Sequence, residues 1–510
     1  MNFQIGAGTD LAPELDPAEQ AGRAPPRLVV IGNGMVGQKF LEQLSADGLH
    51  RHYQVTVLCA EPRPAYDRVH LTEFFTGRSS EELSLVPEGF FERHGIELRL
   101  SEGAAHIDRQ SRTVVTERGA TLTYDKLVLA TGSYPFVPPL PGRERPGCLV
   151  YRTIEDMQAI MAAGRDAEVG VVIGGGLLGL EAAKALRDIG LQTHVVEFAP
   201  RLMAVQVDDS GGALLRRKIE QLGVSVHTAR STTEITDGEF YRHALNFACG
   251  AHLEADVVVF SAGIRPQDGL ARAADLAVGE RGGIVIDDHC RTSDPDIYAI
   301  GECALWGGRI YGLVAPGYAM ARAAASHLQH LHDARAAVPF TGADMSTKLK
   351  LMGVDVASFG DAHASTPGAC CYRYEDERKQ IYKKLVVSED GQRLLGGVLV
   401  GDAREYQTLL QMLLNDMTLP EAPEQLILPV AEGAAPQLDV NALPDDATLC
   451  HCQNVSKGSI CQAIAQGHGD LAAIKACTGA ATGCGSCASL VRTLLDSSAE
   501  MIQTPAEKVA

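Results

Sequence analysis

The sequence has no apolar run long enough to cross a bilayer and no surplus of positive charge. A membrane-spanning helix needs roughly 20 consecutive apolar residues, and no segment approaches that length. The formal net charge of −19 argues against nucleic acid and anionic membranes, which call for clustered Lys and Arg. The first residues also lack the charged-then-apolar layout of a signal peptide. We therefore expect a cytoplasmic protein without nucleic-acid or membrane partners.

Close cysteine pairs are missing from the first part of the chain. Upstream of Cys249 the only cysteines are Cys59 and Cys148, which are far apart in the sequence. A redox-active disulfide needs two neighbouring thiols, so disulfide reduction is disfavoured. Without an export signal, the 13 cysteines of the whole chain indicate metal ligation or reduced thiols more than a disulfide framework.

Length and composition point to several packed domains. An apolar fraction of 45% with 52 glycines fits a turn-rich α/β protein rather than a disordered one. At 510 residues, the length corresponds to about three to four domains.

The first motif is a glycine-rich turn between an apolar strand and a helix. Gly32, Gly34 and Gly37 have the GxGxxG spacing, which allows a tight turn, close approach of a pyrophosphate and helix–strand packing. The helix N-terminus attracts the phosphates. The next strand ends just before Glu61, whose carboxylate could accept hydrogen bonds from a ribose. This arrangement predicts a dinucleotide site.

A second turn of the same kind follows about 140 residues later. Gly174, Gly176 and Gly179 again lie between a strand and a helix, and Glu197 closes the next strand. An acid at that position favours NADH over NADPH, because a 2′-phosphate would meet like charge. Arg201 lies four residues further on and keeps NADPH open as the alternative.

Glu181 lies on the helix after the second turn. Two interpretations remain open for it. Its carboxylate could approach the nicotinamide carboxamide, or it could be an ordinary first-turn acid favoured by the helix dipole.

Three further segments resemble the two-dinucleotide-domain flavoprotein family. They are the Ala-Thr-Gly segment with Thr131 and Gly132, the segment ending in Gly301 and Glu302, and the return strand before Gly263. The resemblance implies FAD at the first site, with the second segment at the ribityl and pyrophosphate groups. Glu302 stands where the family usually has Asp, which leaves its reach to a ribitol hydroxyl open.

The segment from Ala65 to Glu73 resembles the Pro-Tyr-x-Arg-x-x-Leu-Ser-Lys motif of NADH-dependent ferredoxin and rubredoxin reductases. Arg68 matches the family arginine that lies by the flavin. Glu73 replaces the family lysine, so a Lys–Glu pair that holds the isoalloxazine cannot be assumed, and the role of Glu73 stays open. His70 could be a proton donor, although a packing or surface role is the simpler interpretation. Hydride transfer requires no protein acid or base, and we predict no catalytic residue.

Four cysteines near the end form two close pairs, Cys450 with Cys452 and Cys484 with Cys487. Each iron of a [2Fe–2S] cluster takes two thiolates, so the pattern suits such a cluster. Four thiolates also suit tetrahedral Zn²⁺, which stays open on the residues alone. The segment resembles the bacterioferritin-associated ferredoxin-like module, which implies [2Fe–2S].

The predicted fold class is α/β. It comprises two Rossmann-like dinucleotide-binding domains, with the NAD domain inserted in the FAD domain, then an α+β domain and a small helical [2Fe–2S] domain. The predicted boundaries are a flexible tail 1–26, an FAD domain 27–148 and 267–335, an NAD(H) domain 149–266, an α+β interface domain 340–414, a linker 415–447, a [2Fe–2S] domain 448–495 and a tail 496–510.

Several longer stretches carry a more specific resemblance, among them EPRPAYDRVHLTEFF, VVIGGGLLGLEAA and TSDPDIYAIGECA. By these stretches the chain resembles, from residue 27 to about 495, the N-terminal half of the large subunit of assimilatory NAD(P)H nitrite reductases. That family continues into a sirohaem domain beyond the length of this sequence, so we do not expect nitrite reduction by this chain alone. The arrangement then resembles the electron-transfer subunit of assimilatory nitrate reductase. This resemblance implies electron flow from NADH through FAD and [2Fe–2S] to a molybdenum-containing catalytic chain. The alternatives are a separate sirohaem nitrite reductase, a rubredoxin- or ferredoxin-like carrier, or a non-catalytic redox sensor.

Overall fold

The computed structural model describes residues 24–333, 335–429, 440–450, 453–482 and 487–503. Its first sheet has five parallel strands. The central strand, Arg27–Ile31, is apolar and buried after its first residue, as a strand covered on both faces requires. In spatial order the strands are Ile297–Ala299, Lys126–Leu129, Arg27–Ile31, Gln54–Cys59 and Glu97–Leu100. Helices Met35–Ala46 and Val314–Asp333 pack against each other beside this sheet.

A second parallel sheet is formed by residues that lie between the strands of the first. Its order is Val224–His227, Gln192–Val196, Val169–Ile173, Val257–Phe260 and Cys148–Val150. Its helices are Ile154–Ala163, Leu177–Asp188 and Asp209–Gln221. The paired strands Ser133–Pro135 and Ile264–Pro266 accompany the two crossings between the sheets. The inserted arrangement of the predicted fold class is therefore confirmed.

The third unit is a five-stranded antiparallel sheet with one helix, Tyr406–Leu414. Its strands, in spatial order, are Thr347–Leu351, Val354–Gly360, Leu394–Val400, Ile381–Val387 and Cys370–Asp376. One face packs on the helix Asp209–Gln221 of the second domain and shares its hydrophobic core. The other face covers the unit's own helix.

The C-terminal module has a small core of its own. It contains strands Thr448–Cys450 and Val455–Ser456 and helices Lys457–Ala465, Leu471–Thr478 and Ala488–Gln503. Ala315 at the start of the helix Val314–Asp333 packs against this core. The module therefore contacts the first domain directly.

The remaining elements are short. Two antiparallel three-stranded sheets comprise Ala104–Asp108, Thr113–Thr116 and Thr121–Thr123, and Thr232–Asp237, His243–Phe247 and His252–Ala255. Further strands and helices are Ile284–Val285, Ala304–Trp306, Arg309–Ile310, Phe90–His94, Gly269–Ala273 and the 3₁₀ turns Leu49–His52, Leu71–Thr76, Gly164–Asp166, Gly301–Cys303, Pro423–Leu426 and Val440–Ala442. Among the described residues, none of the helices combines the length and apolar character needed to cross a membrane.

Two predicted boundaries are wrong in part. Leu419, Leu426 and Ile427 are buried in the core of the third unit, and Leu443 is buried in the core of the module. Apolar side chains in this Pro- and Glu-rich stretch therefore anchor both ends of the predicted linker 415–447. The predicted tail from residue 496 is helical as far as Gln503. Most of the predicted tail 1–26 lies outside the described residues.

Candidate functional site

A cavity of about 1810 Å³ lies between the two parallel sheets, the third unit and the module. It exceeds the roughly 300–1,000 Å³ typical of small-molecule pockets, so it has room for a dinucleotide and part of a second one. The residues that line it include most of the predicted cofactor positions, among them Gly32 and Gly34 of the first glycine turn and Gly176 of the second.

The first turn has the geometry that a pyrophosphate site needs. Gly32 has φ +108°, and a Cβ there would overlap the Ala130 carbonyl oxygen. A Cβ on Gly37 would overlap the carbonyl oxygen of Gly32. Gly34, by contrast, has no atom within 4 Å of a Cβ position, and it lines the cavity. Gly32 and Gly37 therefore serve packing, whereas Gly34 leaves space beside the helix N-terminus at Met35.

The second turn repeats this pattern. A Cβ on Gly174 would overlap the Ser261 carbonyl oxygen, and a Cβ on Gly179 would overlap that of Gly174. Gly176 has open space and lines the cavity ahead of the helix Leu177–Asp188. Both turns thus present helix N-termini and unfilled glycine positions to one cavity, which fits two dinucleotides.

The other flavin-side positions meet at the same cavity. Thr131, Gly132, Gly263 and Gly301 all line it. The Thr131 hydroxyl donates to the carbonyl oxygen of Gln267 at 2.6 Å, which fixes the Ala-Thr-Gly segment to the chain returning from the second domain.

Glu61 also lines the cavity, at the end of the second strand. Its carboxylate accepts a hydrogen bond from the Tyr66 hydroxyl at 2.8 Å and pairs with the Arg68 guanidinium. Arg68 donates in addition to the carbonyl oxygen of Arg152 at 3.0 Å. The predicted ribose acid is therefore held in place by the predicted flavin arginine.

Glu302 is paired with a residue that sequence reasoning missed. The Arg152 guanidinium donates to Glu302 Oε2 at 2.6 Å, and the Ser133 hydroxyl donates to the same oxygen at 2.6 Å. No motif assigns a role to Arg152, because its function arises from a contact across 150 residues of sequence.

On the nicotinamide side, Glu197 and Arg201 have separate contacts. The Glu197 carboxylate accepts from the backbone N–H groups of Gly175 and Ala199. Arg201 donates to the Val207 carbonyl oxygen at 2.9 Å and pairs with Asp209 at 2.6 Å. Arg201, the residue that left NADPH possible as the nucleotide, is thus already paired with residues that follow it closely in the chain.

Glu181 is a partly buried carboxyl group in the cavity wall. Burial raises the pKa of Glu181 to about 7, and nearby His70 opposes that rise. The helix Leu177–Asp188 has no acid in its first turn, so the interpretation as an ordinary first-turn acid is wrong.

Two residues of the segment from Ala65 to Glu73 form local ion pairs. The Glu73 carboxylate pairs with the Arg78 guanidinium at 2.6 Å. His70 is 42% exposed and pairs with Asp67 at 2.7 Å.

Two of the four predicted cluster ligands are described. Cys450 ends the strand Thr448–Cys450, and Cys487 directly precedes the helix Ala488–Gln503. Both are buried in the core of the module, and both line the large cavity. Cys452 and Cys484 lie outside the described residues. A pair of buried thiols from two segments of one small core fits a thiolate-ligated group.

The thiol on the flavin side does not suit disulfide chemistry. Cys59 lines the cavity, and burial raises the pKa of its thiol. A thiol that stays protonated is a poor nucleophile. Cys59 is therefore a poor candidate for a redox-active thiol, and the absence of disulfide chemistry stays a prediction.

Two dinucleotide-type turns opening on one cavity define a nucleotide-dependent oxidoreductase fold. Residues 26–335 match the family described as pyridine nucleotide-disulphide oxidoreductase, and the chain belongs to it. Residues 346–417 match the C-terminal domain of rubredoxin NAD⁺ reductase, and residues 448–497 match the BFD-like [2Fe–2S] binding domain. These matches imply FAD, NAD(P)H and a [2Fe–2S] cluster, which confirms the predicted cofactors.

Curated relatives include a nitrite reductase subunit and an electron transfer subunit of a nitrate reductase. The chain is 61% identical over 472 residues to the nitrite reductase (NAD(P)H) large subunit of Klebsiella oxytoca, covering 92% of this chain and 49% of that one. It is 36% identical to the assimilatory nitrate reductase electron transfer subunit of Bacillus subtilis, covering 92% and 59%. The chain thus spans about half the length of the curated relatives it matches.

Solved structures show the same fold. A ferredoxin reductase from Rhodopseudomonas palustris superposes with a TM-score of 0.69 at 26% identity, covering 78% of this chain and 96% of that one. A NAD-dependent persulfide reductase from A. fulgidus gives 0.68 at 27% identity, covering 79% of each chain.

Proposed function

We propose that the chain takes electrons from NADH and passes them through FAD and the [2Fe–2S] cluster to a partner reductase. The observation that carries this proposal is the shared cavity, because Cys450 and Cys487 line the same space as both glycine turns. Electron transfer needs donor and acceptor close together, and this arrangement supports a direct path inside one chain.

The protein's part in this chemistry is binding and positioning. The two glycine turns would hold the pyrophosphates, and Glu61 and Glu302 would hold the flavin side by hydrogen bonds. FAD, when bound, would supply the conversion of a two-electron hydride into single electrons. Ala315 lines the cavity and also packs on the core of the module, so the first turn of the helix Val314–Asp333 would bridge the two cofactors.

NADH is the proposed donor, in preference to NADPH. The Glu197 carboxylate lies directly after the strand Gln192–Val196. Arg201 donates a hydrogen bond to the Val207 carbonyl oxygen and forms an ion pair with Asp209. A 2′-phosphate would therefore meet negative charge there without help from Arg201. The activity would belong in the cytoplasm, where buried thiols such as Cys290 and Cys303 persist in reduced form.

Two acceptors deserve testing. The relative named as an electron transfer subunit favours the molybdenum-containing catalytic chain of assimilatory nitrate reductase. The higher identity to a nitrite reductase large subunit favours a sirohaem nitrite reductase as the second candidate. Purification from nitrate-grown cells, followed by metal analysis of the co-purifying chain, would distinguish molybdenum from sirohaem iron. A chain that binds NADH but turns over poorly with one-electron dyes would instead indicate a redox sensor.

Replacing Cys487 by Ser tests the electron path. We expect the variant to lose the cluster, with iron falling from about two per chain, while NADH still bleaches the flavin absorbance in stopped-flow measurements. Reduction of the acceptor should fall to background. Cys477→Ser is the matched control, since Cys477 is exposed in the same module and is not a predicted ligand. Flavin that is bound but no longer reduced in the Cys487 variant, or zinc without iron in the wild type, would contradict the proposal.

A further inference from the structure

Arg152 lies where the chain passes from the strand Cys148–Val150 of the second sheet to the helix Ile154–Ala163. It therefore belongs to the NAD domain by its neighbours in the chain. Its side chain nevertheless reaches the flavin side of the cavity, where one guanidinium nitrogen donates to Glu302 Oε2 at 2.6 Å and to Ser133 Oγ at 2.8 Å. The side chains of Arg152 and Glu302 are 19% and 21% exposed, so the pair is largely shielded from water.

The hydrogen bonds at Glu302 are distributed unevenly between its two oxygens. Oε2 accepts from both Arg152 and Ser133, whereas Oε1 accepts from none of the described residues. An ionised carboxylate has about four acceptor positions, so Oε1 keeps its capacity for a cofactor hydroxyl. Arg152 and Ser133 thus hold the Glu302 side chain by one oxygen, and the other oxygen stays available.

The backbone of Arg152 extends this network to the other acid. Its carbonyl oxygen accepts from Arg68 Nη1 at 3.0 Å, and the other end of the Arg68 guanidinium pairs with Glu61. Tyr66 completes the series with its hydrogen bond to Glu61. A continuous path of polar contacts therefore joins both predicted FAD acids through one residue of the NAD domain.

We propose that Arg152 is a positioning residue that holds Glu302 and Arg68 for FAD and makes FAD affinity depend on the position of the NAD domain. The proposal rests on FAD occupying the first site. A partly buried ion pair that loses one partner leaves an uncompensated charge. Without Arg152, the side chains of Glu302 and Arg68 should therefore be held less firmly in the positions that FAD requires. NAD(H) binding that shifts Arg152 should therefore change the affinity for FAD. Because linkage between two binding sites is reciprocal, FAD should change the affinity for NAD(H) by the same factor.

The test uses the whole 510-residue chain and measures FAD binding, without electron transfer. Arg152→Gln should raise the FAD Kd by about tenfold or more, the size expected from losing a hydrogen bond to a charged group, and should change the visible circular dichroism of the bound flavin. Arg165→Gln is the matched control, since Arg165 is an exposed arginine in the turn after the same helix. Its FAD Kd should stay within twofold of the wild-type value.

Three further measurements separate positioning from general destabilisation. The double variant with Glu302→Gln should bind FAD about as well as either single variant, because the two side chains act as a pair. NAD⁺ should change the FAD Kd of the wild type but not that of Arg152→Gln. Arg152→Lys should weaken FAD binding several-fold but less than Arg152→Gln, and it carries the test if the Gln variant does not fold.

An unchanged FAD Kd in Arg152→Gln, strict additivity with Glu302→Gln, or wild-type binding in Arg152→Lys would overturn the proposal. These outcomes are independent of the electron relay. If the wild type binds FAD with the expected coupling but does not reduce a cluster, the proposed function fails and the role of Arg152 stands.

Discussion

Glu181 should make the stability of the NAD domain depend on pH in an unusual direction. Burial raises the pKa of its carboxyl from 4.5 to about 7. Between these values the native state holds a proton that the unfolded chain has already lost, so this group destabilises the native state progressively as the pH rises through the window. Each pKa unit corresponds to about 1.4 kcal/mol. Above pH 7 the ionised carboxylate therefore costs the native state up to about 3 kcal/mol.

The Glu181→Gln variant removes the charge and keeps the shape of the side chain. At pH 8 it should melt at a higher temperature than the wild type, by a few degrees for each kcal/mol recovered in a domain of this size. At pH 5 the difference should be much smaller, because native Glu181 is then protonated and pH 5 lies only just above the unfolded pKa of 4.5. Differential scanning fluorimetry of the FAD-loaded protein at both pH values measures this directly.

Glu92→Gln is the matched control, because Glu92 is an exposed acid that does not line the cavity. It should shift the melting temperature equally little at both pH values. A Glu181→Gln variant that melts lower than the wild type at pH 8, or that gains equally at pH 5 and pH 8, would refute the reasoning. The first result would mean that the ionised carboxylate has a stabilising partner.

The first glycine turn and Glu197 give two further predictions. Gly37→Ala should lower the melting temperature with or without FAD, because its Cβ would overlap the Gly32 carbonyl oxygen, whereas Gly34→Ala should weaken FAD binding and leave the FAD-free protein unchanged. Equal losses in FAD-free melts would contradict this difference. Glu197→Arg should raise the KM for NADH more than that for NADPH, with the exposed Glu239→Arg as a control of equal charge change. Equal changes for both nucleotides would speak against a role of Glu197 in cofactor choice.

The order of domains was predictable because local patterns determine it. A strand, a GxGxxG turn and a helix identify themselves within about 20 residues, and steric overlap at Gly37 and Gly179 explains why no other residue type fits those positions. The linker was harder to predict. Leu419 and Ile427 lie among Pro, Ala and Glu, so the local composition indicates a connector, whereas long-range packing buries both side chains.

The site was predictable where a residue belongs to a motif and unpredictable where it acts through distant contacts. Glu61 and Glu302 each follow a recognisable strand, so the sequence identifies both. Their partners could not be identified this way, because the Arg152–Glu302 pair spans 150 positions. The sequence shows that Glu73 replaces a family lysine, but only the fold shows that Glu73 turns to Arg78 and that Glu181 is left as a partly buried acid.

The shared cavity also depends on a contact outside both nucleotide motifs. Lys384, on the strand Ile381–Val387 of the third unit, is 3% exposed and pairs with Asp208 at 2.6 Å, while the Tyr382 hydroxyl donates to the same carboxylate at 2.7 Å. Asp208 in turn caps the helix Asp209–Gln221 of the NAD domain. A buried ammonium group needs its partner in place, so movement of the third unit away from Asp208 would leave the Lys384 charge unpaired. The third unit follows the FAD domain in the chain and packs on the NAD domain, and it thereby links the two parts of the chain that carry the glycine turns.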